Sequence, residues 1–286
     1  MDFTSIVGLI AGLGLIIFGI VYDPSSGIAM STLINFINYP SMAITFGGAI
    51  AATLIAFPIS YFKGMPKHMK IIVQKNKYNP QKYIATIVDF AQEARRKGLL
   101  SLEEKASQEE DAFLRESIML VVDAIDPTKV KQMLENELDN LEDRHSHVWQ
   151  FYEKFSTFGP AFGMIGTLIG LINMLANMDM SAEGGATKMA QGMSTALITT
   201  FYGSMLSNLV LTPLAHKLHM RHDEEMVCKE IVMEGVISIQ AGDNPKHIEE
   251  RLNSFLCESK RGNEKEKEKG EAASSQKKPE KGKKAS

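Results

Sequence analysis

Residues 155–178 read FSTFGPAFGMIGTLIGLINMLANM and contain no Asp, Glu, Lys or Arg. At 1.5 Å per residue, a helix of this length crosses the roughly 30 Å hydrocarbon core of a bilayer. Three more charge-free windows lie outside it: Asp2 to Asp23, Asp23 to Lys63, and Lys188 to Lys217. The Asp23–Lys63 window exceeds one span. Its early part (Pro24, Ser25, Ser26 and Gly27, then Asn35, Asn38, Tyr39 and Pro40) reads as an external connection, and 41–62 reads as the span. The expected fold is an all-α integral membrane protein with four transmembrane helices. The first apolar run lacks a preceding basic residue and is long for a signal peptide, so it reads as a span.

The average composition, 44% hydrophobic and 23% charged, conceals this segregation. The net charge of −3 says little about partners, and no nucleic-acid partner is expected. The two cysteines, Cys228 and Cys257, form no CxxC or zinc spacing. The chain has no nucleophile–base set, phosphate loop or metal cluster, so no enzyme activity, catalytic residue, metal or cofactor is expected. His216, His219 and His222 lack a converging fourth ligand and read as a basic stripe at the membrane surface.

Orientation follows from Lys and Arg in the short loops. Lys63, Lys67, Lys70, Lys75 and Lys77 follow the second span, and Lys217 and Arg221 follow the fourth. The loop at Asp23 has neither residue type, and the loop 179–188 has one lysine. Both termini should be cytoplasmic in a multi-pass membrane protein with two short external loops. The expected organisation is a first transmembrane hairpin (1–62), a helical cytoplasmic domain (63–154) and a second hairpin (155–213), then C-terminal cytoplasmic helices (214–259) and a disordered charged tail (260–286).

Within the insertion, Pro80 to Lys97 predicts a helix with Ile84, Ile87, Val88 and Ala91 on its apolar face. Ser101 and Glu104 have capping-box spacing. Asp126-Pro127 starts a further helix, whose Val130, Met133, Leu134, Leu138, Leu141, Val148, Tyr152 and Phe155 recur at helical spacing into the third span. A helix is also expected from Leu214 to Ile239, and another after Gly242-Asp-Asn-Pro245.

The spans carry three small-xxx-small patterns: Gly8 with Gly12, Gly159 with Gly163, and Gly166 with Gly170. These allow close backbone approach and suggest a tightly packed, oligomeric assembly. No span contains an ionisable acid or base, although ion carriers place one inside the bilayer. Hydroxyls and amides remain, notably Thr167, Asn173, Thr195, Thr199, Thr200 and Asn208. Threonine oxygen can ligate a cation or order water but does not titrate as an acid. If the chain conducts ions, another polypeptide must supply the titratable group. Alternatively, the threonines bond their own helix carbonyls. Pro160 and Pro213 remove hydrogen bonds to the carbonyls of Ser156 and Leu209 and suit hinges at one depth, or are simply tolerated membrane prolines.

Phe158-Gly-Pro-Ala-Phe-Gly-Met-Ile-Gly-Thr-Leu-Ile-Gly-Leu171 and Ser194-Thr-Ala-Leu-Ile-Thr-Thr-Phe-Tyr-Gly203 closely resemble the MotA/PomA family of flagellar stator subunits. Glu93-Ala-Arg-Arg-Lys-Gly-Leu-Leu-Ser-Leu-Glu103 and Gly242-Asp-Asn-Pro245 resemble it too. The resemblance implies a pentameric ring of this chain around two copies of a MotB/PomB-type partner, which supplies the ion-accepting aspartate and grips peptidoglycan. It implies that inward H+ or Na+ flow turns the ring against the rotor protein FliG. By position, Arg95 and Glu103 match the rotor-binding charged pair. Pro160 and Pro213 match the gating prolines, and Thr167, Thr199 and Thr200 the ion pathway. The threonine pattern resembles the sodium-type PomA branch more than the proton-type one. The alternative is an ExbB/TolQ-type energiser of envelope transport. Those chains resemble three-span proteins, whereas here a two-span hairpin precedes the insertion.

Overall fold

The computed structural model describes residues 3–23, 27–74, 77–177 and 185–256. The expected charged tail, Cys257 and most of the loop 179–188 lie outside the described residues. The described chain is almost wholly helical: α1 (Phe3–Val21), α2 (Tyr39–Ala56), α3 (Ile59–Val73), α4 (Pro80–Lys97), α5 (Leu102–Ser107), α6 (Ala112–Val122), α7 (Pro127–Ala176), α8 (Gly185–Gln240) and α9 (Pro245–Leu252). The all-α expectation needs one amendment. Tyr22–Asp23 and Gly27–Ile28 pair as a two-residue antiparallel ribbon, with Gly27 at φ +75°. That backbone region favours glycine. Helices α2, α7 and α8 are long and apolar enough to cross a membrane, while the apolar part of α1, Ile6–Val21, is shorter.

The chain divides into two compact units. One comprises residues 1–76 and 141–223. Its core is aromatic: Phe151 is fully buried, with the rings of Phe57, Tyr61 and Phe62 centred 5.1–5.8 Å away. Outside that core, Ile10, Leu15, Phe18, Ile55, Leu168 and Leu197 are exposed. Apolar surface on this scale marks contact with lipid or other chains.

The second unit comprises residues 77–140 and 224–286. Ile84, Ile87 and Ala91 of α4 are buried there with Val130, Leu134 and Leu138 of α7 and Ile231, Val232 and Val236 of α8. The expected α4 stripe and Val130, Leu134 and Leu138 of α7 face this core; Met133 is exposed, and Val148, Tyr152 and Phe155 belong to the aromatic core of the first unit. Three start signals are seen directly. Asn79 accepts from the Gln81 amide, Asp126 from Thr128, and Asn244 from Lys246, each next to a proline at the first helical position. The capping box at Ser101 does not form. Ser101 closes a 3-10 turn with helical φ and ψ, and its hydroxyl donates to the Gly98 carbonyl at 2.7 Å. An N-cap needs extended backbone to reach forward, which that turn denies it.

Candidate functional site

In the first unit α7 and α8 run antiparallel along a seam of small residues. A Cβ added at Gly170 would lie 2.5 Å from the Gly192 carbonyl oxygen, and one at Gly203 would lie 2.5 Å from that of Gly159. Between these contacts Gly166 receives the Thr199 side chain, and Gly163 meets the Thr199–Thr200 backbone. Both α7 glycine patterns thus serve packing within the chain. Gly12 packs against Leu209, and among the described residues nothing lies within 4 Å of a Cβ added at Gly8.

The seam sorts the three threonines. Thr199 is fully buried; its hydroxyl donates to the Ala196 and Thr195 carbonyls at 2.9 and 3.0 Å. Its own carbonyl accepts from Thr45 Oγ1 of α2 at 3.2 Å. Thr200 is exposed and Thr167 partly so. Thr167 donates to Met164 at 2.6 Å and Thr200 to Ala196 at 3.4 Å. Thr200 packs on Gly163, one turn from Thr167 on the same α7 face. These hydroxyl protons go to own-helix carbonyls, but each oxygen keeps lone pairs, and those of Thr167 and Thr200 face outward.

Pro160 lies at the last glycine contact, its Cα 3.2 Å from a Cβ added at Gly203, and Pro213 lies further along α8. Pro160 leaves the Ser156 carbonyl without its helical donor. Residues Leu206–Leu211 form a π-helical segment, and the Thr212 amide donates to Ser207, five residues back. Pro213, which has no amide hydrogen, follows directly on this widened turn. The two weakened turns are brought together: Thr212 Oγ1 donates to Ser156 Oγ at 3.2 Å. Ser156 and Ser207 are both buried. Sequence reading overlooked these hydroxyls, although small polar residues beside each proline were visible.

In the second unit Arg95 ends α4 and Glu103 opens α5, separated by Gly98 at φ +88°. Their neighbours satisfy one another. Glu93 pairs with Lys97 at 2.9 Å and Lys105 at 3.3 Å, and Lys105 with Asp89 at 2.5 Å. Hydrogen bonds from Lys97 and Lys105 hold Glu93 below the usual carboxylate range. Among the described residues Arg95 and Glu103 make no ion pair or side-chain hydrogen bond, and both are exposed. Arg95 opens onto a 350 Å³ surface cavity shared with Gln92, Arg96, Asn244, Lys246 and Glu249.

His222 is not part of an exposed stripe. It is buried, with its Nδ1 3.1 Å from that of His145, and Trp149 packs against both His219 and His222. Among the described residues no group of three or more His, Cys, Asp or Glu is arranged to hold a metal ion.

The profile of the MotA/TolQ/ExbB proton channel family matches residues 105–231. Motility protein A of Treponema pallidum (strain Nichols) is 37% identical over 90% of this chain and 94% of its own length. Chemotaxis protein PomA of Vibrio alginolyticus is 36% identical over 91% of this chain and 98% of its own. The flagellar MotAB stator complex of Bacillus subtilis contains a chain of the same fold, with TM-score 0.78 and 30% identity, covering 91% of this chain and 98% of that one. With the glycine seam, the paired proline turns and the apolar helices, these similarities show that the chain belongs to the MotA/PomA family of flagellar motor stator subunits.

Proposed function

We propose that this stator subunit forms a pentameric ring around a MotB/PomB-type partner and converts inward cation flow into torque on the rotor protein FliG. The observation that carries the proposal is chemical: the spans hold hydroxyls, carbonyls and glycines but no ionisable acid or base. A permeating charge needs such a partner in low dielectric. A second polypeptide with one membrane carboxylate completes the site, and a MotAB complex is the form in which the Bacillus subtilis relative was solved. In this reading α1, α2 and the apolar parts of α7 and α8 are the four spans, in the bacterial inner membrane, with lipid around them. The 19 residues of α1 match a bilayer core in length. Both termini, residues 63–154 and the helices after 213 are cytoplasmic.

Arg95 and Glu103 are the rotor contacts. Exposed side chains of opposite charge, without partners among the described residues, suit a surface that must grip and release on every step. Single exposed pairs are weak, about 0–1 kcal/mol each, so each single reversal should lower torque only partly. Reversing both, Arg95→Glu with Glu103→Arg, should remove most torque while the complex still assembles. Stall torque of bead-loaded motors, with pull-down of the partner, decides this. Parental torque in the double reversal would exclude the two residues from the rotor face.

The translocated ion is H+ or Na+, and the outward oxygens of Thr167 and Thr200 support a sodium pathway. A dehydrating Na+ needs several oxygen ligands, which two hydroxyls on adjacent helices and a carboxylate begin to supply. Motor speed should fall with external sodium at fixed pH and membrane potential, and Thr200→Ala should raise the sodium needed for half-maximal speed. Speed independent of sodium would assign the motor to protons.

A further inference from the structure

We infer that Ser156 and Thr212 are positioning residues of the ion cycle: their hydroxyl–hydroxyl bond is a latch between the two proline-weakened turns, and it opens and closes as the subunit works. The inference rests on the stator reading above and concerns how that site moves.

Above Pro160, α7 and α8 meet backbone to backbone at Gly159–Gly203, Gly163–Thr199 and Gly170–Gly192. Contacts this close leave no room for one helix to slide past the other. At Ser156 the contact changes character. Side chains replace backbone, and the bond between Thr212 Oγ1 and Ser156 Oγ, at 3.2 Å, spans the two helices. Backbone hydrogen bonding is thinnest at the same place. Pro160 removes the donor to the Ser156 carbonyl, and the π-helical turn Leu206–Leu211 runs straight into Pro213, which has no amide hydrogen to donate. Both turns can therefore change conformation more easily than any other part of the seam. Ser156 is buried and its hydroxyl accepts in the closed latch, so opening leaves that oxygen needing another donor and the Thr212 hydroxyl another acceptor. A single neutral hydrogen bond contributes little net stability, which suits a contact made and broken repeatedly. Charged or apolar side chains at the same positions would hold the turns permanently together or apart.

The test uses the full chain expressed with its partner in cells lacking a stator of their own. Thr212→Val keeps the side-chain shape and removes the donor, and Thr212→Ser keeps the hydroxyl. Thr212→Val should change low-load speed by about two- to tenfold, the range set by loss of one net hydrogen bond, with stall torque and complex abundance unchanged. Thr212→Ser should stay close to the parent. A packing role alone would lower complex abundance and torque together. A second arm pairs Ser156→Cys with Thr212→Cys. Oxidation of that double variant should stop rotation, and a reductant should restore it, while either single variant continues. Parental low-load speed in Thr212→Val, or unimpeded rotation with the two cysteines cross-linked, would overturn the latch. Failure of the unmodified chain to drive rotation would instead overturn the stator reading on which it rests.

Discussion

Gly203→Val should abolish motility by preventing assembly of the second membrane hairpin. A side chain at this position would start 2.5 Å from the Gly159 carbonyl oxygen and 3.0 Å from its carbon, inside van der Waals contact with rigid backbone. Ordinary overpacking costs roughly 1–3 kcal/mol, and here no flexible side chain can yield, so the upper end of that range or more applies. The only relief is to separate α7 from α8. That would also undo the contacts at Gly163, Gly166 and Gly170 and expose the buried Thr199. Immunoblots of membranes and partner pull-down should show the chain depleted or unassembled. Gly8→Ala is the matched control, because nothing among the described residues lies within 4 Å of a Cβ there. A Gly203→Val chain that assembled and swam normally would mean that the seam is not the packed interface described.

The second large effect is the silence of the chain without its partner. Reconstituted alone into liposomes under a membrane potential, it should pass no measurable H+ or Na+; with a MotB/PomB-type partner it should. The driving force is ample, about 2.3 kcal/mol per charge per 100 mV, so lack of flux reports lack of a path. Threonine oxygens can ligate or solvate an ion in transit but cannot accept and release its charge as a carboxylate can. Substantial flux through the chain alone would sink the proposal that the missing acid comes from outside.

Much of this was legible in the residues, and what was not has physical reasons. The helix starts at Asp126-Pro127 and Asn244-Pro245 are local features, and those helices stand where the features put them; the second span, read as 41–62, instead stops at Ala56, because Pro58 starts a separate helix at Ile59. Ser101 shows the limit of local pattern. Its spacing to Glu104 fits a capping box, yet the preceding Gly98 leads into a 3-10 turn that turns the hydroxyl backwards. The π-helical turn Leu206–Leu211 just before Pro213 depends on packing in three dimensions and has no signal in the residue spacing. The Ser156–Thr212 bond joins residues 56 apart in sequence, and no spacing rule reaches that far. His222 likewise read as surface because its partner, His145, lies on another helix. Composition could not single out Arg95 and Glu103 among the chain's 65 charged residues. The family resemblance did so, and the structure adds that, among the described residues, their neighbours pair while they do not.

The most direct test of the central claim is mechanical. The chain and its MotB/PomB-type partner would be induced together in flagellated cells stripped of their own stators, with a bead on each motor recording rotation. Speed should rise from zero in equal discrete steps as complexes join the motor, and collapse when the ion gradient is discharged. Motors that stay still, with both proteins present and assembled in the membrane, would contradict the account.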